Sequence, residues 1–178
     1  SVHVAIAAWV WHSYFDEADV LTHGLKLIWS DWTRSAPNMA PVTAKAACLY
    51  AVGSLSKTKA EQAGYHDALM LDYRGYVADT TSTNIFMVKK GVVYTPIADC
   101  FLNGITRQTI MSLAQDLGFT VVECHILPKE LLQADEIFLT GSAAEVAPVG
   151  QIGDQSFAVG PITKTLAAAY HNLVRLIA

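Results

Sequence analysis

Lys45 lies in Ala-Pro-Val-Thr-Ala-Lys-Ala-Ala-Cys-Leu-Tyr, residues 40–50, where almost every neighbour is small or apolar. Losing its water is costly for an ammonium group. An amine held in apolar surroundings has its pKa pushed down and becomes a usable nucleophile and Schiff-base former, so the segment points to carbonyl chemistry. The alternative is a lysine that snorkels out of an otherwise buried helix.

Two glycine turns add places for an anion. Leu102-Asn103-Gly104-Ile105-Thr106-Arg107 stands just before an amphipathic stretch. A helix start offers free backbone N–H groups and the positive end of the dipole. Gly104 lets the backbone approach a phosphate closely, and Thr106 can add a hydroxyl; the same residues also read as an ordinary N-cap. Thr140-Gly141-Ser142-Ala143-Ala144-Glu145 leaves N–H groups free around small side chains, or is a tight turn between strands. Asp79, followed by Thr80, Thr81, Ser82, Thr83 and Asn84, reads either as the carboxylate of a polar cluster or as a solvated aspartate. Tyr50 brings a phenol near Lys45, or is a core aromatic with a satisfied hydroxyl. A lysine, a carboxylate, a phenol and two anion-holding turns are what a pyridoxal phosphate site requires.

These groups need a scaffold. Val2, Val4 and Ile6 alternate with His3 and Ala5 and predict a strand. Residues 16–23 read as a short helix stopped by Gly24. Leu25, Leu27 and Trp29 predict a strand running to Trp32. A helix from Thr43 to about Ala63, ended by Gly64, would carry both Lys45 and Tyr50. Two hairpins follow: 68–72 with 76–79 around Tyr73-Arg74-Gly75, and 84–88 with 92–94 around Lys89-Lys90-Gly91. Ile110, Leu113, Ala114 and Leu117 mark an amphipathic helix with Gly118 at its end. Strands at 120–126 and 136–140 flank a short helix at 128–133. Pro161 opens a last helix with an apolar stripe of Ile162, Leu166, Ala169, Tyr170, Leu173 and Ile177. The result is one α/β domain with a mixed, partly antiparallel sheet.

The 178 residues suit a single domain. Hydrophobic residues make up 52% and charged residues only 16%, so surplus apolar surface must meet another domain or subunit. Net charge is −4 with no basic tract, which argues against nucleic acid as a partner. Apolar runs are interrupted by His12, Lys26 and Asp31, too short to span a bilayer. Cys48, Cys100 and Cys124 lack metal-ligand spacing and do not suggest a disulfide framework, which fits a reducing, cytoplasmic setting. A first residue inside a strand-like pattern suggests the later part of something longer.

The ordered motifs resemble the fold-type IV pyridoxal phosphate enzymes, and among them the branched-chain amino acid aminotransferases. They run from Trp32-Thr33-Arg34 through Ala36-Pro37-Asn38, Thr43-Ala44-Lys45 and Tyr50 to Gly64-Tyr65 and Ala68-Leu69-Met70-Leu71-Asp72. Gly75-Tyr76-Val77, Asn84-Ile85-Phe86, Gly104-Ile105-Thr106-Arg107, Ala134-Asp135-Glu136-Ile137-Phe138 and residues 140–149 continue the match. The resemblance implies the large domain of that fold, a partly antiparallel pseudo-barrel flanked by helices, with pyridoxal 5'-phosphate as cofactor. It makes Lys45 the Schiff-base lysine and proton shuttle. Asp79 becomes the partner of the protonated pyridine nitrogen, and Tyr50 that of the phenolic oxygen. Leu102 packs on the ring face; Gly104, Ile105, Thr106 and Ser142 bind phosphate; Ser142 and Ala143 receive the substrate carboxylate.

The resemblance further implies a smaller N-terminal domain absent from these residues, amino acid and 2-oxo acid substrates, and a homo-oligomer. The domain alone is expected to be inactive. Asp79 stands where the family usually has glutamate, Asn103 where it has proline, and Ser142 where it has threonine. D-amino acid aminotransferase or aminodeoxychorismate lyase chemistry on the same fold stays open, as does a non-catalytic assembling fragment.

Overall fold

Asn84-Ile85-Phe86-Met87-Val88 is apolar on both faces of a strand, and the structure explains why. In this computed structural model, which describes residues 3–10 and 17–175, that strand is β4 (Asn84–Lys89). Ile85 and Met87 join a core with Leu25, Leu27, Leu69, Val77, Leu139 and Val149. Phe86 and Val88 join a second core on the opposite face, with Ile110, Phe138, Leu166 and Tyr170. A strand buried on both sides has no polar alternation to show.

The chain runs α1 (Glu17–His23), β1 (Leu25–Arg34), a 3-10 turn (Ala47–Leu49), α2 (Tyr50–Gln62), β2 (Asp67–Asp72), β3 (Val77–Thr80), β4, and β5 (Val92–Pro96). It continues with α3 (Ile105–Asp116), β6 (Val121–Cys124), α4 (Pro128–Leu131), β7 (Glu136–Gly141), β8 (Glu145–Ile152), β9 (Gln155–Ser156) and α5 (Pro161–Arg175). The strands form one sheet in the order β3-β2-β1-β8-β7-β4-β5-β6, with β9 on β8. A further pairing of β3 with β4, at Asp79 and Asn84, closes β3-β2-β1-β8-β7-β4 into a ring. Pairings are both parallel, as in β1 with β2 and β8, and antiparallel, as in β4 with β7. The first core fills this barrel-like ring, and α3 and α5 pack outside it on β7. Phe86 and Phe138 stack across β4 and β7 with ring centroids 4.9 Å apart, fixing the outer core.

The mixed, partly antiparallel α/β reading and the pseudo-barrel are found. Three local expectations are corrected and one strand is added. Residues 3–10 carry no strand; Val4 and Ile6 are 84% and 95% exposed. Alternation alone does not hold a strand that no neighbour pairs; Val2 lies outside the described residues. The helix expected from Thr43 begins only at Tyr50, after the 3-10 turn. Before it the backbone makes successive turns, with N–H of Met39, Val42 and Ala44 donating to carbonyls of Ala36, Ala40 and Pro41. No side chain caps α2, so nothing local starts the helix earlier. Strand β8 adds an element to which the sequence reading assigns no range. Pro148 is accommodated opposite Phe138 of β7. On α5, Leu173 is exposed rather than part of the stripe, and Ile177 lies outside the described residues.

Candidate functional site

The barrel ring is joined at a cavity. The end of β1, the β3–β4 junction, the loop leading into α2 and the loop before α3 together surround a volume of about 400 Å³. Its walls include Lys45, Tyr50, Asp79 and Leu102 together with Arg34, Cys48, Thr83 and Asn84. Four of the residues singled out in the sequence therefore meet although they are up to 57 positions apart, from Lys45 to Leu102.

Asp79 is buried, not solvated. Arg34 donates to it through Nε to Oδ1 at 2.7 Å and through Nη2 to Oδ2 at 3.1 Å. Nη2 also reaches the carbonyls of Thr80 and Thr81. Burial pushes the Asp79 carboxyl up to about 6, and the nearby Asp67 pushes the same way, while Arg34 holds it down. Asp67 in turn accepts from the Thr81 hydroxyl at 2.7 Å. Arg34 has no role in the sequence reading beyond its place in a motif. The available signal is Asp79 itself: a carboxylate on a strand facing a core needs a cation, and Arg34 ends the nearby β1.

Lys45 departs from expectation. It sits in the irregular loop before α2, not in a helix, and is exposed, as are Pro41, Thr43 and Ala44 around it. Small apolar neighbours in sequence are too short to cover a long side chain. The apolar burial inferred for Lys45 is therefore not found. Its Nζ makes no hydrogen bond or ion pair among the described residues, leaving it available at the cavity wall. Tyr50 is 45% exposed and lines the same cavity, so it is not a core aromatic.

Gly104, Ile105, Thr106, Ser142 and Ala143 do not line the cavity itself. They stand beside it, attached through Asn84 and Thr83. Asn84 Nδ2 donates to the Leu102 carbonyl at 2.9 Å, and its Oδ1 accepts from Gly104 N–H at 3.2 Å. A Cβ on Gly104 would lie 2.4 Å from Asn84 Oδ1, so only glycine permits this approach. Gly104 is the N-cap of α3 and no side chain caps that helix. Thr106 is buried, with its Oγ1 3.4 Å from the Tyr170 hydroxyl. Ile105 is 81% exposed. A Cβ on Gly141 would touch Thr83 at 3.1 Å, which brings the Ser142–Ala143 turn against the same junction. The Thr140 hydroxyl, just before that turn, is buried with no partner.

The Gly104 turn is held from behind by Arg107, 1% exposed. Its guanidinium donates to Asn103 Oδ1 at 2.7 Å, Pro96 O at 2.8 Å, Glu123 at 2.6 Å and Thr95 Oγ1 at 3.2 Å. Asn103 is thus tied by a hydrogen bond to the helix that follows it. A separate acidic group, Asp72, Asp99 and Cys100, has its ligand atoms within 4.8 Å of one another. The Arg74 guanidinium bonds all three side chains, so its charge already answers theirs. Burial, then Asp99, pushes the Cys100 thiol up to about 11.

A closed mixed barrel, helices outside it, and a cavity lined by an available lysine and a buried, arginine-held carboxylate define the class of α/β domain. The chain belongs to the amino-transferase class IV family, whose model matches residues 1–152. It is 43% identical over 176 residues to the branched-chain-amino-acid aminotransferase of Pseudomonas aeruginosa, covering 97% of this chain and 57% of that protein. The branched-chain aminotransferase of Thermoproteus uzoniensis, solved with norvaline, superposes with a TM-score of 0.89 at 37% identity, over 94% of this chain and 55% of that one. An aminotransferase from Brucella abortus, solved with the cofactor PLP bound, gives a TM-score of 0.81 at 36% identity, over 85% of this chain and 55% of that one. The chain thus spans little more than half the length of these relatives. Among the described residues no helix is long and apolar enough to cross a membrane.

Proposed function

We propose that this chain is the cofactor-binding part of a pyridoxal 5'-phosphate-dependent branched-chain aminotransferase. The observation that carries the reading is the convergence of Lys45, Tyr50, Asp79 and Leu102 on one cavity of about 400 Å³, a volume suited to a small cofactor. The residues present fit the group. A buried carboxylate, an available amine and a phenol line the cavity, and Asn84 joins the uncapped start of α3 to the strand position of Thr140, whose hydroxyl is orphaned. Pyridoxal 5'-phosphate, when bound, supplies an electron-withdrawing ring through which an amino group passes between leucine, isoleucine or valine and 2-oxoglutarate.

Each residue then has a task. Lys45 would hold the cofactor's aldehyde through its amine and, once the substrate amine has displaced it, would carry a proton to and from the substrate Cα. Asp79, kept in place by Arg34, would pair with the protonated ring nitrogen; a carboxylate has lone pairs enough for both. Tyr50 donates to the phenolic oxygen, and Leu102 packs on the ring face. The Ile105 and Thr106 N–H groups and the Thr106 and Ser142 hydroxyls receive the phosphate, with Gly104 allowing its approach. The Ser142 and Ala143 N–H groups receive the substrate carboxylate.

The reading includes a smaller partner domain and a homo-oligomer. Met39 on the cavity wall is exposed, as are Trp32 on β1 and Leu55 on α2, in keeping with such a cover. The chain by itself is expected to show little turnover, because it spans little more than half the length of its relatives and turnover depends on every group that positions substrate. Titrating the purified chain with pyridoxal 5'-phosphate tests the assignment. A visible absorbance band that disappears in Lys45→Ala is expected. No band, or one that survives the substitution, refutes it.

A further inference from the structure

We infer that Arg175, on the last turn of α5, is a positioning residue for the Ser142–Ala143 turn, acting through Glu145. The inference rests on the phosphate-binding role proposed for that turn. Glu145 closes the turn opposite Gly141, where β7 and β8 pair. Its φ is +51°, a left-handed backbone that a side chain with a Cβ rarely adopts. Such a conformation persists only where the surroundings hold it. The β7–β8 hairpin holds its backbone, and Arg175, thirty residues away in sequence, holds its side chain: Nη2 donates to Oε1 at 2.8 Å and Nη1 to Oε2 at 3.1 Å. This two-point geometry fixes orientation as well as distance.

Arg175 can act as an anchor because α5 is itself fixed at three points. Glu136, the first residue of β7, accepts from Ile162 and Thr163 N–H at 3.2 and 2.7 Å and so ties down the first turn of the helix. Leu166 and Tyr170 are buried in the outer core. The Tyr170 hydroxyl meets Thr106 Oγ1 at the start of α3. One helix therefore runs along β7 from its first residue to the turn beyond its end. On the way it touches both segments to which the phosphate is assigned. A shift of α5 moves both together; loss of the Arg175 contact frees only one.

The test compares two ligands on this chain: pyridoxal 5'-phosphate, and pyridoxal, which lacks the phosphate. The ratio of their dissociation constants, read by absorbance titration, isolates the phosphate contacts. Glu145→Gly keeps a residue that accepts positive φ while removing the carboxylate, so the turn can still form. Arg175→Gln removes the cation. Each is expected to lower the ratio about three- to five-fold, the scale of a half-exposed ion pair, and the exchanged pair Glu145→Arg with Arg175→Glu to restore it. An unchanged ratio, or equal weakening of both ligands, overturns the inference, since a merely structural contact would act on both alike. A wild-type chain with no preference for the phosphorylated ligand overturns the proposed function and this inference with it.

Discussion

Arg34 grips both carboxylate oxygens of Asp79, at 2.7 and 3.1 Å, inside a wall that water hardly reaches. The aspartate is thus not left reaching for a partner. Arg34→Met removes the cation and leaves a buried charge, which costs about 3 kcal/mol at neutral pH. Adding Asp79→Asn to Arg34→Met recovers part of that loss. Urea unfolding of the two single variants and the double variant measures the coupling; additive losses would deny that the pair acts as a unit.

The Asp79 carboxyl lies at about 6 in the folded chain, above its ordinary value of 3.8. The folded state then binds the proton more readily than the unfolded state does. Its contribution to stability is fully present below the unfolded value and is lost as pH rises through about 6. Thermal melts of wild type and Asp79→Asn should therefore converge or cross between about pH 4 and 7 and run parallel above. Cofactor binding has the opposite slope. It should strengthen as the carboxylate forms through that same interval, and Asp79→Asn should abolish the dependence.

Cys48 and Cys100 both line the cavity, but Cys48 is exposed, whereas Cys100 is buried with its thiol pushed up to about 11. A maleimide should label Cys48 first and leave Cys100 unmodified in the folded chain. Mass spectrometry of tryptic peptides locates the label. Saturating pyridoxal 5'-phosphate should slow labelling of Cys48, and labelled chain should no longer give the absorbance band.

Arg107 satisfies the Gly104 turn, β5 and β6 at once, while 1% exposed. Arg107→Met should destabilise the chain by about 3 kcal/mol, because Glu123 and several oxygens lose their donor. Asn103→Pro restores a ring constraint that Arg107 otherwise supplies. It should weaken phosphate preference less than Asn103→Ala does, in the same two-ligand titration.

Much of this is legible in the sequence where signals are local. Gly24, with φ at +76°, ends α1 as its position foretells. The hairpins, α3 and the start of α5 at Pro161 follow from turn residues and periodicity. Lys45, Tyr50, Asp79 and Leu102 stand out by chemical type and motif. What stays hidden depends on partners distant in the chain. β8 exists because β1 and β7 flank it, not because 145–152 reads as a strand. Arg34 gains its task only when β1 and β3 converge. Lys45 looks buried because its neighbours are apolar, but burial is decided by what packs over a residue, and here the described residues leave it open.

The ring of strands closes through a single residue pair, Asp79 with Asn84. One of these faces the ring nitrogen in the proposed site, and the other tethers the phosphate turn. The barrel's narrowest seam and its chemistry are therefore the same place. Amide protons on β3 and the first residues of β4 should exchange sooner than those on β7, where pairing continues along the strand. A bound ligand that engages Asp79 and the Gly104 turn would act as a clasp across that seam, so the barrel would breathe least when it is loaded.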